Sequence, residues 1–476
     1  MNNLKYILFF LFINSLLFPI GEITAPSIGL NGANCSVATG FDAIKYNPSG
    51  LLLGNAKKIG FMPATGMHFA FGNNSFSTYN LYQAITAGDL EDYTDPNGTT
   101  YNLKNKLLDQ IPPWGMVSSM EMTFFNTMVY FKKNINGQNL AFGVGFIPTF
   151  YTSIVLDKKL FTIPFKEFDL TEKLTFNNSL TAVFYFDQIN SFCFDIPRLA
   201  HLMRGENFYI GGGFHLYLGV FMLNAALEEF SIDPAPGSKG LYDYELGGSG
   251  TVRMAGFEAI KAAGGNGNDK TAEIFNSMGG FSAGPGFDIG ATFVLNRYFT
   301  FGTSFMDFGF IIFPNVARYD QFNFDAKKYS IEKLTSEELS GDDISEDFNN
   351  ANVSKEEYYI YRMPGTFRFG AKYNPIPILM IAADIGLSNI MRFDREPIAF
   401  FIATGLEFAP KLSIFKFPLR VGFQYNTKAN YPSLAFGLGF HAGVLRFDLG
   451  IRGIEFLLDQ VGTRDLAFIT EFKVEI

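Results

Sequence analysis

The chain has only two cysteines, Cys35 and Cys193, in 476 residues. They are too few for a disulfide scaffold, and their spacing fits no zinc motif. Charge is also scarce: 17% of residues are ionic, the balance is −9, and no basic patch stands out. A nucleic-acid surface needs clustered Lys and Arg to meet phosphates, so that class of partner is excluded. The four histidines, His68, His201, His215 and His441, have no i,i+4 pairing and no carboxylate at metal-ligand spacing. Structural roles are expected for them, with neither metal nor cofactor. Beyond the N-terminal segment no stretch offers the roughly 18 consecutive uncharged apolar residues of a membrane helix.

Catalytic patterns are missing as well. "GFSAG" (280–284) matches a nucleophile elbow around Ser282 in letters only, because Pro285-Gly286 and a strand follow where the elbow needs a helix. "GLGFHAG" (437–443) has the wrong spacing for a dinucleotide loop and joins two strands. The acidic run "EELSGDDISEDFNN" (337–350) lacks calcium-loop spacing and reads as a solvated loop. An enzyme is not expected.

What the chain does have is 56 Phe, 22 Tyr and 48 Gly. So much apolar area excludes disorder. The opening "MNNLKYILFFLFINSLLFPIGE" is one Lys followed by apolar runs, the pattern of a signal peptide over residues 1–21 with cleavage between Gly21 and Ala25.

Period-two alternation dominates the rest. "SLAFGLGFH" (433–441) sets Leu434, Phe436, Leu438 and Phe440 against glycine and small residues. "FRFGAKY" opposes Phe367 and Phe369 to Arg368 and Lys372; "LRVGFQY" opposes Leu419, Val421 and Phe423 to Arg420. "LRFDLGIR" opposes Leu445, Phe447 and Leu449 to Arg446, Asp448 and Arg452, and "LAFITEFKVEI" ends the chain in the same manner. A soluble sandwich also alternates. Large aromatic residues on one face, glycine on the other and strands of about ten residues favour a transmembrane antiparallel β-barrel over residues 58–476. Arg368, Lys372, Arg420, Arg446, Asp448 and Arg452 then face the lumen, paired across strands. Arginine at Phe436 or Leu438 should cost about 2–4 kcal/mol, whereas Gly437→Ser on the inner face should be milder. Short turns at 295–298, 374–377 and 441–444 belong to the periplasmic side; segments near 83–112, 231–280 and 315–357 lack strand periodicity and are expected as long external loops.

Residues 22–57 precede the first strand and are too apolar for a free tail. Their small residues and turn formers suit a compact hatch inside the lumen, with Asn47-Pro48 fixing a turn and Gly50 a tight reversal. At Asp42-Ala43 and Asn47-Pro48-Ser49-Gly50-Leu51 the sequence resembles the FadL-like outer-membrane transporters, including their PorV-like branch. That family opens with an Asp-Ala pair and Asn-Pro-Ala; Ser49 replaces the alanine here. The closing strands look similar too, while residues 80–360 resemble the family only in style. The resemblance implies an all-β barrel of ~14 strands with an N-terminal hatch, placed in the outer membrane by its assembly machinery. It implies passive uptake of a hydrophobic small molecule such as a long-chain fatty acid, with membrane lipids around the wall and a lateral exit through it. A scaffold or adhesive barrel, holding protein partners through its loops, is the other reading.

Overall fold

The computed structural model describes residues 24–54, 58–75, 93–94, 100–101, 103–113, 115–159, 174–234, 243–256, 282–320, 327–330, 352–392, 398–428, 431–457 and 464–476. The expected signal peptide and the acidic run lie outside them.

β1 (Ile59–Asn73) is followed by a small separate hairpin, β2 (Tyr93–Thr94) and β3 (Thr100–Tyr101), and then by β4 (Met116–Ile135), β5 (Gln138–Leu156), β6 (Leu174–Asp195) and β7 (Asn207–Pro234). Next come β8 (Asp243–Ala255), β9 (Ser282–Val294), β10 (Phe299–Asp320), β11 (Lys327–Ser330), β12 (Asn352–Arg362), β13 (Thr366–Ile376), β14 (Leu379–Ser388) and β15 (Ala399–Phe408). A short hairpin, β16 (Lys411–Leu412) with β17 (Phe415–Lys416), leads into β18 (Leu419–Asn426), β19 (Tyr431–Ala442), β20 (Leu445–Arg452) and β21 (Asp465–Glu475).

β1 pairs antiparallel with β4 on one side and β21 on the other, which closes the sheet. β8 and β9 are two halves of one stave, stacked end to end beside β7. β12 and β13 are likewise two halves beside β10, parted at Met363-Pro364-Gly365, where proline offers no N–H and Gly365 takes φ 58°. So counted, the wall is a closed antiparallel barrel of 14 staves.

Exposure follows the sequence alternation. On β15, Phe400, Ile402, Leu406 and Phe408 are exposed while Phe401, Ala403 and Gly405 are buried. An aromatic outside and a closed hydrogen-bonded ladder satisfy the two demands of a bilayer: apolar contact and no free backbone groups. The fold is therefore of the outer-membrane type.

Stave height is uneven. β14, β15, β18 and β20 have 10, 10, 8 and 8 residues, close to the 9–11 that cross a membrane. β4, β6, β7 and β10 have 20, 22, 28 and 22, so their external ends stand beyond the bilayer. This corrects the loop assignment of 231–280 and 315–357. β7 runs on to Pro234, β8 occupies 243–255, β10 runs to Asp320 and β12 begins at Asn352. In these taller strands charge appears at either parity, as in Lys355-Glu356-Glu357, and the alternation that marks a lipid-facing strand fades.

Candidate functional site

Residues 24–54 lie inside the wall as a plug. It contains a helix at Ala25–Gly29, a second at Phe41–Tyr46 and a 3-10 helix at Pro48–Leu52. Asn47 organises its end. Its Oδ1 accepts from the Ser49 N–H at 3.2 Å and from the Ser49 hydroxyl, and its Nδ2 donates to the Cys35 carbonyl at 2.9 Å and to Thr292 Oγ1 at 3.2 Å. Pro48 fits the first position of a helical turn because the missing N–H would be unpaired there. Ser49 Oγ lies 2.6 Å from Thr292 Oγ1, so the hydroxyl in place of alanine is used for a bond to the wall. A side chain at Gly50 would overlap the Ala38 carbonyl. Leu51 and Ala43 join the apolar core formed with Ile44, Met128, Tyr130 and Ile189, and Asp42 reaches Lys473 at 3.6 Å.

The wall receives this plug on glycine. Gly211 and Gly290 are direct cross-strand partners, and a β-carbon on either would overlap the Asn47-Pro48-Ser49 turn. Gly302 faces Gly370 against Cys35; Gly405 faces Gly422 against Leu30 and Asn31; Gly437 faces Gly450 against the helix Ala25–Gly29. Four opposed glycine pairs thus form a track that the plug follows round the inner wall. The expected mildness of Gly437→Ser is corrected by this contact: a β-carbon there would sit 2.9 Å from the Gly29 Cα.

Polar bonds complete the seat. Asp384 Oδ2 accepts from the N–H groups of Asn34 and Cys35 at 2.9 and 2.7 Å, and Glu471 accepts from the Ala25 N–H at 2.9 Å. Among the residues expected in the lumen, Arg368 donates to the Gly32 carbonyl at 3.0 Å and stacks 4.8 Å from the Phe401 ring centre. Arg420 bridges Glu407 at 2.8 Å and Asp448 at 2.9 Å; Arg452 meets Asp465 at 2.8 Å, and Arg446 meets Glu475. Lys372 is half-buried. The structure brings Arg420 and Asp448 together, and sets Arg368 apart from them as a direct contact to the plug.

The sequence reading missed a buried charge cluster. Lys45 of the plug lies 3.0 Å from Asp187 on β6 and 3.2 Å from Asp307 on β10. His215 on β7 bridges Asp187, 2.7 Å from Nδ1, and Asp288 on β9, 2.6 Å from Nε2. Asp307 sits in a bulge of β10 at φ 58°, and the N–H released there donates to Asp288 Oδ1 at 2.7 Å. Burial alone would pull the Lys45 ammonium below its ordinary pKa; Asp307 and Asp187 outweigh it and hold the group charged, well above that value. Asp187, His215 and Asp307 have ligand atoms within 4.8 Å of one another. The Lys45 ammonium already takes the central place there, so the cluster is a counter-ion site for the plug. Of the histidines, His215 and His441 are paired with carboxylates, whereas His68 makes no hydrogen bond among the described residues, contrary to a satisfied structural role. A lone Asp288 among inward glycines in "GFDIGATF" was the one sequence signal for the cluster.

On the external side of this latch the lumen turns apolar. Tyr151, Val183, Tyr217, Met222, Ile311, Phe313, Val316, Tyr361 and Met363 form one buried cluster, with Tyr185 and Tyr359 packed against it. The His215 ring stacks on Tyr217 at 5.1 Å, joining the latch to this cluster. Arg392 lies between Tyr151 and Tyr361, 4.4 and 4.8 Å from their ring centres. The cluster adjoins β10 where that strand is flanked by both interrupted staves.

The model of a protein family described as "Family of unknown function (DUF5723)" matches residues 54–451, and the chain belongs to that family. No curated protein matches the sequence. Among solved structures, a Pseudomonas aeruginosa FadL homologue is similar with a TM-score of 0.49 and 11% identity over 97% of this chain and 99% of that one. The Pseudomonas putida toluene transporter TodX gives 0.46 and 11% over 96% and 99%, and the Ralstonia pickettii toluene transporter TbuX gives 0.43 and 10% over 97% and 100%.

Proposed function

We propose that the protein is an outer-membrane channel for passive uptake of hydrophobic compounds, long-chain fatty acids among them, reached after export by its signal peptide. The observation that carries this reading is the cluster of apolar side chains that fills the lumen over the plug, Ile311, Phe313 and Tyr217 among them. A pore for polar solutes gains nothing from such a lining, because apolar surface binds the solute that water rejects. The plug closes the straight path below. A compound taken up among these side chains leaves through the wall beside β10, where the interrupted staves weaken the ladder, and enters the bilayer without crossing water. The hatch motif Asp42, Ala43, Asn47, Pro48, Ser49, Gly50 and Leu51 keeps the floor in place, and Arg368, Arg420, Arg446, Asp448 and Arg452 hold the lower lumen shut.

Uptake of a labelled long-chain fatty acid and of a neutral aromatic hydrocarbon is measured in cells with and without the protein, and with Phe313→Asp. The expected result is uptake that depends on the protein and is lost in the variant while the barrel stays assembled, as judged by heat-modifiable migration. Equal uptake with and without the protein overturns the reading. The tall external ends of β4, β6, β7 and β10 favour one second reading, a PorV-like scaffold; a stoichiometric protein partner retained in mild detergent, with no uptake, would establish it.

A further inference from the structure

The periplasmic end of the barrel carries a charge opposite to that of the whole chain. The net charge is −9. Yet at the start of β1 and in the short turns after β4, β6, β9 and β15, Lys58, Lys133, Arg198, Arg204, Arg297 and Lys411 are all exposed. Among the described residues of these turns Glu206 is the one exposed carboxylate side chain, since Asp195 is buried on Asn139. Apolar side chains stand between the basic ones. Leu202 is 77% exposed, Leu412 67% and Ile414 64%, at the tips of the helix Pro197–Leu202 and of the β16–β17 hairpin.

Water is a poor environment for those tips, and the bilayer is close. The outward face of the wall runs directly into them through Phe299, Phe408, Phe415 and Leu445. A globular partner would cover one sector of the rim, whereas these bases occupy four of the six turns and the start of β1. A lipid leaflet meets the entire circumference. Apolar tips among basic side chains are the pattern of a surface that dips between acyl chains and pairs with phosphates.

We propose that the rim formed by these turns is a binding surface for anionic phospholipid headgroups of the inner leaflet. Lys133, Arg198, Arg204, Arg297 and Lys411 pair with the headgroups, and Leu202, Leu412 and Ile414 enter the apolar layer beneath. The proposal does not depend on what the lumen carries.

The full-length barrel is reconstituted in phosphatidylcholine vesicles with a trace of spin-labelled phosphatidylglycerol or spin-labelled phosphatidylcholine. The motionally restricted fraction of each label then gives their relative association with the protein. The expected result is a several-fold preference for phosphatidylglycerol that falls toward one at about 1 M salt, where screening removes interactions beyond the first few ångströms. The combined variant Arg198→Gln, Arg204→Gln, Arg297→Gln and Lys411→Gln should lose the preference while keeping heat-modifiable migration. A wild-type preference of one overturns the proposal. So does a preference undiminished in the variant, which would place the selective surface elsewhere. Retention of a stoichiometric acidic protein by the wild type and not by the variant, without lipid preference, would replace the leaflet with a protein partner.

Discussion

The low wall, β14 to β21, and the tall wall, β4 to β10, are made of the same kind of strand and do different work. The low wall is hardly more than a membrane crossing. Its inner face holds the plug through two of the four glycine pairs, Asp384 and Glu471, and its charges neutralise one another, as Arg420 does with Glu407 and Asp448. The tall wall rises past the bilayer, breaks two of its neighbouring staves and surrounds both the charge latch and the apolar cluster. One helix of the plug answers to both. Asp42 is held by Lys473 on β21, and Lys45 by Asp187 and Asp307 on β6 and β10. The difference teaches that glycine seats the plug on both sides, while the half that could open carries the stronger electrostatic hold on it.

That contrast can be broken most directly at Lys45. Lys45→Met leaves Asp187 and Asp307 buried without their cation, and removing one partner of a buried pair costs about 3–5 kcal/mol. Hydrogen exchange at residues 41–46 should accelerate sharply with the barrel intact. Asp42→Asn should loosen the same helix far less, because Lys473 keeps Glu471 at 2.8 Å. Faster exchange in Asp42→Asn than in Lys45→Met would reverse the ranking of the two walls.

A second contrast concerns lipid. Leu438→Arg on the low wall should destabilise the barrel by about 2–4 kcal/mol in urea titrations from vesicles. Leu227→Arg, equally outward but high on β7, should stay within about 0.5 kcal/mol. Equal costs would mean that the upper part of the tall wall is also in the bilayer.

The seat of the plug gives smaller effects. Asn47→Ala strands the Ser49, Cys35 and Thr292 groups it serves, at about 1–3 kcal/mol for a buried unsatisfied partner. Gly437→Ser forces a side chain against Gly29, at about 1–3 kcal/mol for overpacking. Both should leave the barrel assembled and raise leakage of a small hydrophilic solute, Asn47→Ala more than Gly437→Ser. A tight lumen in both variants would mean that these contacts do not hold the plug.

The same division explains what could be read from the sequence. The strands around Arg368, Arg420, Phe436, Phe447 and Phe468 were legible because lipid outside and plug inside impose opposite demands on successive residues. β8, β12 and the top of β10 were not, since charge at either parity, as in Lys355-Glu356-Glu357, hides the alternation. The Asn47-Pro48 turn was legible because the bonds of Asn47 to Ser49 are local, whereas those of Asp42 to Lys473 and of Asn47 to Thr292 are not. The latch was not, because Lys45 and Asp307 are 262 positions apart and nothing local announces their meeting. The inward glycines were visible as a face, but their pairing is a property of register, which alternation alone does not specify.

The glycine track has a consequence for assembly quality. In each of the four pairs both members must stand opposite one another, and a slip of one residue would turn glycine away and bring outward-facing apolar side chains such as Ile289, Phe369, Leu406 or Phe436 into the lumen. The plug could not then lie down. Since its two ends touch staves as far apart as β20 and β9, the plug tests strand alignment across most of the closed circle at once. A barrel zipped one step out of register would still be a barrel, but it would be an open one, and the plug serves as the inspector of the wall that follows it in the chain.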